Sequence, residues 1–203
     1  MASMLTDRFD DALAFAIRLH RDDLRKGSET PYVAHLLSVA AIVLEDGGNE
    51  DEAIAGLLHD ALEDHPRETS REEIGTRFGA RVLDLVEGCT DTPQDFAGGR
   101  NPPWRQRKEG YIEHVRHADA GALRVSLADK LHNARAILAD LRRLGDEVWR
   151  RFNVGYEDPA EIRREVLWYY RSLLDAFREA GASGYLAEEL ERTLDEIDRV
   201  VRG

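Results

Sequence analysis

The 203-residue sequence predicts an all-α fold, a helical bundle of about ten helices. Apolar residues recur three and four apart along nearly every segment, and no long stretch alternates as a half-buried strand would. Proline, glycine and capping residues fall where helix ends are expected. Thr6 and Asp7 can cap a first helix, DRFDDALAFAIRLHRDDL, whose Phe9, Leu13, Ala16, Ile17 and His20 share one stripe. Pro31 opens a second, PYVAHLLSVAAIVLED, which Gly47 and Gly48 close in the manner of a C-cap. A third is expected from about Glu50 to Asp64, stopped by His65-Pro66. SREEIGTRFG and ARVLDLVEGC follow as short helices, and DTPQDFAGGRNPPW breaks any regular pattern and reads as an irregular loop bordering something functional. RQRKEGYIEHVRHA, ALRVSLADKLHNARAILADL, EIRREVLWYYRSLLDAF and SGYLAEELERTLDEIDRV complete the helical series.

Length and composition, 42% hydrophobic and 33% charged, fit one soluble domain over residues 1–203. No stretch approaches the roughly 20 apolar residues that span a bilayer, and the N-terminus does not read as a signal peptide. A single cysteine, Cys89, excludes an internal disulfide framework and any Cys-rich zinc site, so a reducing cytoplasm is the expected setting. The formal charge of −12, from 28 basic and 40 acidic residues, argues against long nucleic acid as a partner. An anionic small molecule would need a local cationic pocket. The oligomeric state stays open.

The segment GLLHDALEDH places His59, Asp60, Glu63 and Asp64 on one arc of a helical wheel, opposite Ile54, Leu57, Leu58 and Ala61. An ordinary solvated face looks the same, so the residue types must decide. A histidine beside an aspartate offers an imidazole nitrogen and a carboxylate oxygen to one cation. His35 stands among apolar neighbours in PYVAHLLSVAAI, and Asp129 among Leu127, Leu131, Ala134 and Leu138. A carboxylate buried there without a partner would be expensive, so it should meet a cation or several donors. His35, His59, Asp60 and Asp129 together make a sulfur-free set suited to manganese or iron, with zinc as a further candidate. An ion with open positions is both a Lewis acid and a source of hydroxide, which makes hydrolysis the natural reaction class.

The His59-Asp60 pair with the distant Asp129 resembles the HD-domain metal-dependent phosphohydrolases. RKGSETPYVAHLLSVA, GLLHDALEDH and SLADKLHNARAIL, in this order, resemble the hydrolase domain of the RelA/SpoT homologue family and its small stand-alone alarmone hydrolases. The likeness runs from roughly Asp7 to Leu141 and implies an HD-type bundle around a central metal cleft. It further implies a manganese-dependent enzyme that removes the 3′-pyrophosphate of guanosine tetra- and pentaphosphate, ppGpp and pppGpp. On that resemblance His35, His59, Asp60 and Asp129 match the metal ligands, and Glu63 and Asp64 the catalytic pair. Arg25, Lys26 and Asn133 match positions at the nucleotide, and Arg107 and Lys108 fall where relatives carry basic residues near the scissile phosphates.

No room follows for a synthetase domain, so a stand-alone hydrolase is expected. Adenosine analogues such as ppApp, the 2′-phosphate of NADPH and simpler nucleotides are the alternative substrates. A non-catalytic HD fold that binds a nucleotide is the alternative of a different class, and the Glu63-Asp64 pair speaks against it, because a sensor needs no water-activating carboxylates.

Overall fold

The computed structural model describes residues 5–90 and 102–202. Among them it is all-α, with ten α-helices, one 3-10 helix and no strand beyond an isolated Leu24–Pro31 bridge. No helix among the described residues is long and apolar enough to cross a membrane. Two compact units are formed, one from Met1–Thr90 with Asp119–Asp129, the other from Asp91–Ala118 with Lys130–Gly203.

In the first unit, α1 (Asp7–Leu19) starts at the Thr6 cap, whose hydroxyl accepts from the Arg8 amide. α2 (Val33–Glu45) ends where Gly47, at φ 79°, turns the chain out and the Gly48 amide donates back to the Val43 carbonyl. α3 (Glu50–Leu58) opens with a capping box: Asn49 Oδ1 accepts from the Glu52 amide at 3.1 Å, and Glu52 Oε2 accepts from the Asn49 amide at 2.8 Å. α2 packs on α3, and α3 on α1 and on α6 (Ala80–Cys89), which also carries α5 (Arg71–Phe78). The two helices that matter most meet at Gly56. A Cβ there would stand 3.2 Å from Ala40 Cα and 3.3 Å from Ala40 N, so a side chain would push α3 away from α2.

The expected third helix is not continuous. It stops at Leu58, passes through a turn at His59 and Asp60, and resumes as α4 (Ala61–Asp64). The first helix likewise ends at Leu19, five residues before the expected Leu24, in a turn that runs to the Leu24–Pro31 bridge.

The remaining segment of this unit is the start of α8 (Ala120–Leu144), which continues into the second unit at Lys130. Arg124, on its second turn, donates to both oxygens of buried Glu52 at 2.9 Å and to Asp46 Oδ2 at 2.9 Å. Removing one partner of such a buried pair typically costs about 3–5 kcal/mol, so this contact fixes α8 against the start of α3. In the second unit, α9 (Pro159–Glu179) packs on α7 (Trp104–Arg116), on α10 (Tyr185–Arg202) and on the 3-10 helix Gly145–Arg151, a segment without a helical expectation from sequence. Tyr169 and Tyr170 are buried there. The expected irregular loop lies, for residues 91–101, outside the described residues.

Asp119 caps α8. Its Oδ1 accepts from the Gly121 and Ala122 amides at 2.8 and 3.2 Å, and Arg81 grips both carboxylate oxygens at 3.0 and 2.8 Å. The Arg81 hydrogen bonds, aided by the two amides and opposed by burial, hold its pKa down to about 2 from 3.8. Asp119→Ala should cost about 1–2 kcal/mol in denaturant unfolding at neutral pH. Because the folded-state pKa is depressed, that cost is full above pH 3.8 and shrinks as the pH falls towards about 2. A cost that stays constant down to about pH 2 contradicts the assignment.

Candidate metal centre

Two helices and one turn of the first unit bring the polar groups together. His35 comes from the first turn of α2, His59 and Asp60 from the break after α3, and Asp129 from α8. His35, His59 and Asp129 are all buried, and each offers a ligand atom within 4.8 Å of the others. His35 Nε2 lies 3.2 Å from Asp129 Oδ1 and 3.7 Å from Asp60 Oδ2, and His59 Nε2 lies 2.9 Å from Asp60 Oδ2 and 3.7 Å from Asp129 Oδ1. The two imidazoles meet edge to face, 5.1 Å between centroids.

The break in the helix has a chemical consequence at His59. Its Nδ1 donates to the Gly56 carbonyl at 2.9 Å, so the neutral ring turns the lone pair of Nε2 towards the two carboxylates. That nitrogen is buried and makes no properly directed hydrogen bond. A lone pair facing two anionic oxygens is repulsive, and a positive charge must stand between them: a proton on Nε2 or a metal ion. Without an ion, burial opposes protonation, but the nearby carboxylates of Asp60 and Asp129 outweigh it and push the His59 pKa well above its ordinary value. His35 behaves oppositely. Burial dominates over its bond to Asp129 and lowers its pKa, leaving it neutral, the state a ligand needs. Asp60 is held ionised, since His59 overcomes the effect of burial.

Tyr32, a residue sequence reasoning missed, completes the setting: its hydroxyl donates to Asp60 Oδ2 at 2.5 Å and its ring meets His35 edge to face. The available signal was its spacing, three residues before His35 and so on the same side of the chain. Arg25 is half-buried, its guanidinium 5.7 Å from the Tyr32 ring centroid, while Lys26 is exposed in the turn before the α2 helix.

Glu63 and Asp64 stand on α4, both exposed, with their amides donating to the Asp60 carbonyl at 3.1 and 2.9 Å. The protein around Asp64, together with the negative charge of Asp60, raises its pKa to about 6. A carboxylate so tuned is suited to take up a proton near neutral pH. Asn133 lies on α8 one turn beyond Asp129, in the second unit. Arg107 and Lys108 also belong to that unit, on α7, where Lys108 lies over the Tyr169 ring at 4.8 Å. Arg105 there is engaged by Glu109 and Glu165 at 2.9 and 2.8 Å.

A family model described as the HD domain matches residues 12–153, about 70% of the sequence. The chain belongs to the HD-domain family. Its relatives define a branch. The human guanosine-3′,5′-bis(diphosphate) 3′-pyrophosphohydrolase MESH1 is 36% identical over 173 residues, which cover 83% of this chain and 89% of the relative. MESH1 of Xenopus tropicalis is 40% identical over 142 residues, 68% and 72% of the two chains, and that of Drosophila melanogaster 31% identical over 202 residues, 98% and 97%. A solved structure of a metazoan ortholog of SpoT, described as hydrolysing ppGpp and acting in starvation responses, aligns with a TM-score of 0.75 at 27% identity over 98% of this chain and 99% of its own. The crystal structure of lmo0812 from Listeria monocytogenes EGD-e aligns at 0.65 and 29% identity, covering 81% and 99%. Within the HD-domain family, this chain therefore stands in the MESH1/SpoT-like branch.

If a divalent ion replaces the proton on His59, its binding must release that proton. Titration calorimetry of the metal-stripped protein with Mn²⁺ near pH 7, in buffers of different ionisation enthalpy, should report about one proton released per ion and an affinity that rises with pH. Binding with no proton release contradicts the assignment.

Proposed function

We propose that the protein is a Mn²⁺-dependent 3′-pyrophosphohydrolase of ppGpp and pppGpp, acting in the cytoplasm, with residues 1–203 forming one hydrolase domain. The observation that carries this reading is the convergence of His35, His59, Asp60 and Asp129, with the Glu63-Asp64 pair one turn away, in a chain that covers 89% of human MESH1. The HD match at 12–153 includes sequence from both compact units, which supports treating them as one functional domain.

His35, His59, Asp60 and Asp129 would hold the ion, and their nitrogen and oxygen donors without sulfur fit manganese, with iron and zinc as the other ions such a set accepts. When bound, the ion supplies Lewis acidity towards phosphate and lowers the pKa of water. Tyr32 keeps Asp60 in place through its hydroxyl, and Gly56 does the same for His59 through its carbonyl. Asp64, with a pKa of about 6 in the free protein, takes the proton of the attacking water, and Glu63 orients that water. The water oxygen forms a bond to the phosphorus at the 3′ position, the bond from that phosphorus to the sugar oxygen breaks, and the proton taken by Asp64 returns to that sugar oxygen. The products are pyrophosphate and a nucleoside diphosphate or triphosphate with a free 3′-hydroxyl. Arg25 and Lys26 grip the nucleotide from the turn before α2. Asn133 serves the ribose or a phosphate, and Arg107 and Lys108 bind the scissile phosphates as they do on the family resemblance.

Metal-stripped protein given Mn²⁺ and, in turn, ppGpp, pppGpp, ppApp, NADPH and simple nucleotides tests the reading, with pyrophosphate and orthophosphate measured separately. Pyrophosphate should be released from ppGpp and pppGpp, and Glu63→Gln with Asp64→Asn should lower kcat by about 10²–10⁴-fold while nucleotide binding stays within a few-fold. Orthophosphate from NADPH as the main product, or pyrophosphate chiefly from ppApp, overturns the substrate assignment. No turnover with any metal makes the protein a binding module.

A further inference from the structure

A second group of metal-type side chains lies in the same unit and shares no residue with the centre above. His20, at the end of α1, Asp23, in the turn that follows, and His65, at the end of α4, each offer a ligand atom within 4.8 Å of the others. Both imidazoles converge on one carboxylate oxygen: Asp23 Oδ2 lies 2.8 Å from His20 Nδ1 and 2.7 Å from His65 Nε2. The two rings meet edge to face at 4.5 Å. His20 is fully buried, whereas His65 and Asp23 are only half-buried, so one side of the cluster is open to solvent.

We propose that His20, Asp23 and His65 form a second divalent-cation site, selective for zinc or a similar borderline ion, which clamps the end of α1 to the end of α4 beside Asp64. The donor set is two imidazole nitrogens and one carboxylate oxygen. Three protein ligands of this type with one open position match the coordination habit of zinc, and a set without thiolates that is not all oxygen disfavours magnesium and calcium.

His20 and Asp23 are also in the state that coordination requires. Burial lowers the His20 pKa against the pull of Asp23, and the neighbouring His65 lowers it further, so the ring is neutral. For Asp23, burial is opposed and outweighed by the hydrogen bonds of His65 and His20, and the carboxylate stays ionised. In the cation-free protein both imidazoles hydrogen-bond to one carboxylate oxygen, and an ion can take the place of those bonds. Glu68 Oε2 stands 3.8 Å from His65 Nδ1, the nitrogen not directed at Asp23.

The location gives the site a consequence. His65 directly follows Asp64, and the turn that contains Asp23 leads into Arg25 and Lys26. His20 stacks on Tyr32 at 5.1 Å between centroids, and Tyr32 holds Asp60. An ion bound here would stiffen the residues assigned to the proton transfer and to the nucleotide at once.

The test is metal stoichiometry and needs no substrate. Metal-stripped protein is dialysed against low-micromolar Zn²⁺ alone, and bound zinc is counted per chain by mass spectrometry of the metal. The parent should hold two ions. His65→Ala and Asp23→Asn should each hold one, with unchanged circular dichroism, and His35→Ala should keep the one that those variants lose. Both mutated positions are half-buried, so the substitutions leave the packed core intact. Parental stoichiometry in His65→Ala and Asp23→Asn overturns the proposal, and so does a parent that holds a single ion which His35→Ala abolishes. A parent holding one ion that His35→Ala retains and His65→Ala loses supports this site and removes the other, so the two assignments fail separately.

Discussion

The structure depends on one electrostatic requirement: a positive charge where His35 Nε2, His59 Nε2, Asp60 and Asp129 meet. Asp129 is buried among apolar residues of α8, and His59 is tied through Nδ1 to the Gly56 carbonyl, so neither can turn away to solvent. Two carboxylates and a directed lone pair without a cation would be costly in such a setting. Much of the first unit serves to keep them there. Gly56 lets α3 approach the backbone of α2 at Ala40, which brings the two histidine-bearing segments together. Arg124 ties α8 to Glu52 at the start of α3, which holds Asp129 against them.

The carboxylates near this point divide into two kinds by environment. Asp60 is kept ionised by His59 and by the hydroxyl of Tyr32, the condition of a ligand. Asp64, one turn further on, meets no such partner charge strong enough to offset the loss of water to the surrounding protein and the repulsion of Asp60, and its pKa rises to about 6, the condition of a group that exchanges protons. The same short sequence, HDALED, thus supplies both functions because the chain changes direction inside it.

That change of direction marks the limit of what the sequence made legible. The all-α class, the caps at Thr6 and Gly47, and the inward placement of His35 and Asp129 follow from periodicity and from the cost of burying a polar group, and the structure agrees with each. A helical wheel through Glu50–Asp64 assumes an unbroken helix, whereas the backbone breaks at His59 and Asp60. No proline or glycine signals the break. Its evident cause is tertiary, the fixing of His59 beside Asp60 and Asp129, which local propensity does not register. Tyr32 escaped notice for a related reason: its role depends on a partner 28 residues away. His20, Asp23 and His65 read as a stripe residue, a further residue of the first helix and a helix stop, and only the fold brings them onto one oxygen. The basic residues were legible as candidates, but their pairing was not. Arg105 is held by Glu165, sixty positions along the chain.

Anomalous diffraction at the manganese edge, from crystals grown with Mn²⁺, tests the central claim most directly. A single strong peak within bonding distance of His35 Nε2, His59 Nε2 and oxygens of Asp60 and Asp129 is the predicted result. A peak that leaves the His59 Nε2 position uncoordinated, or no peak among these four side chains at saturating metal, contradicts it.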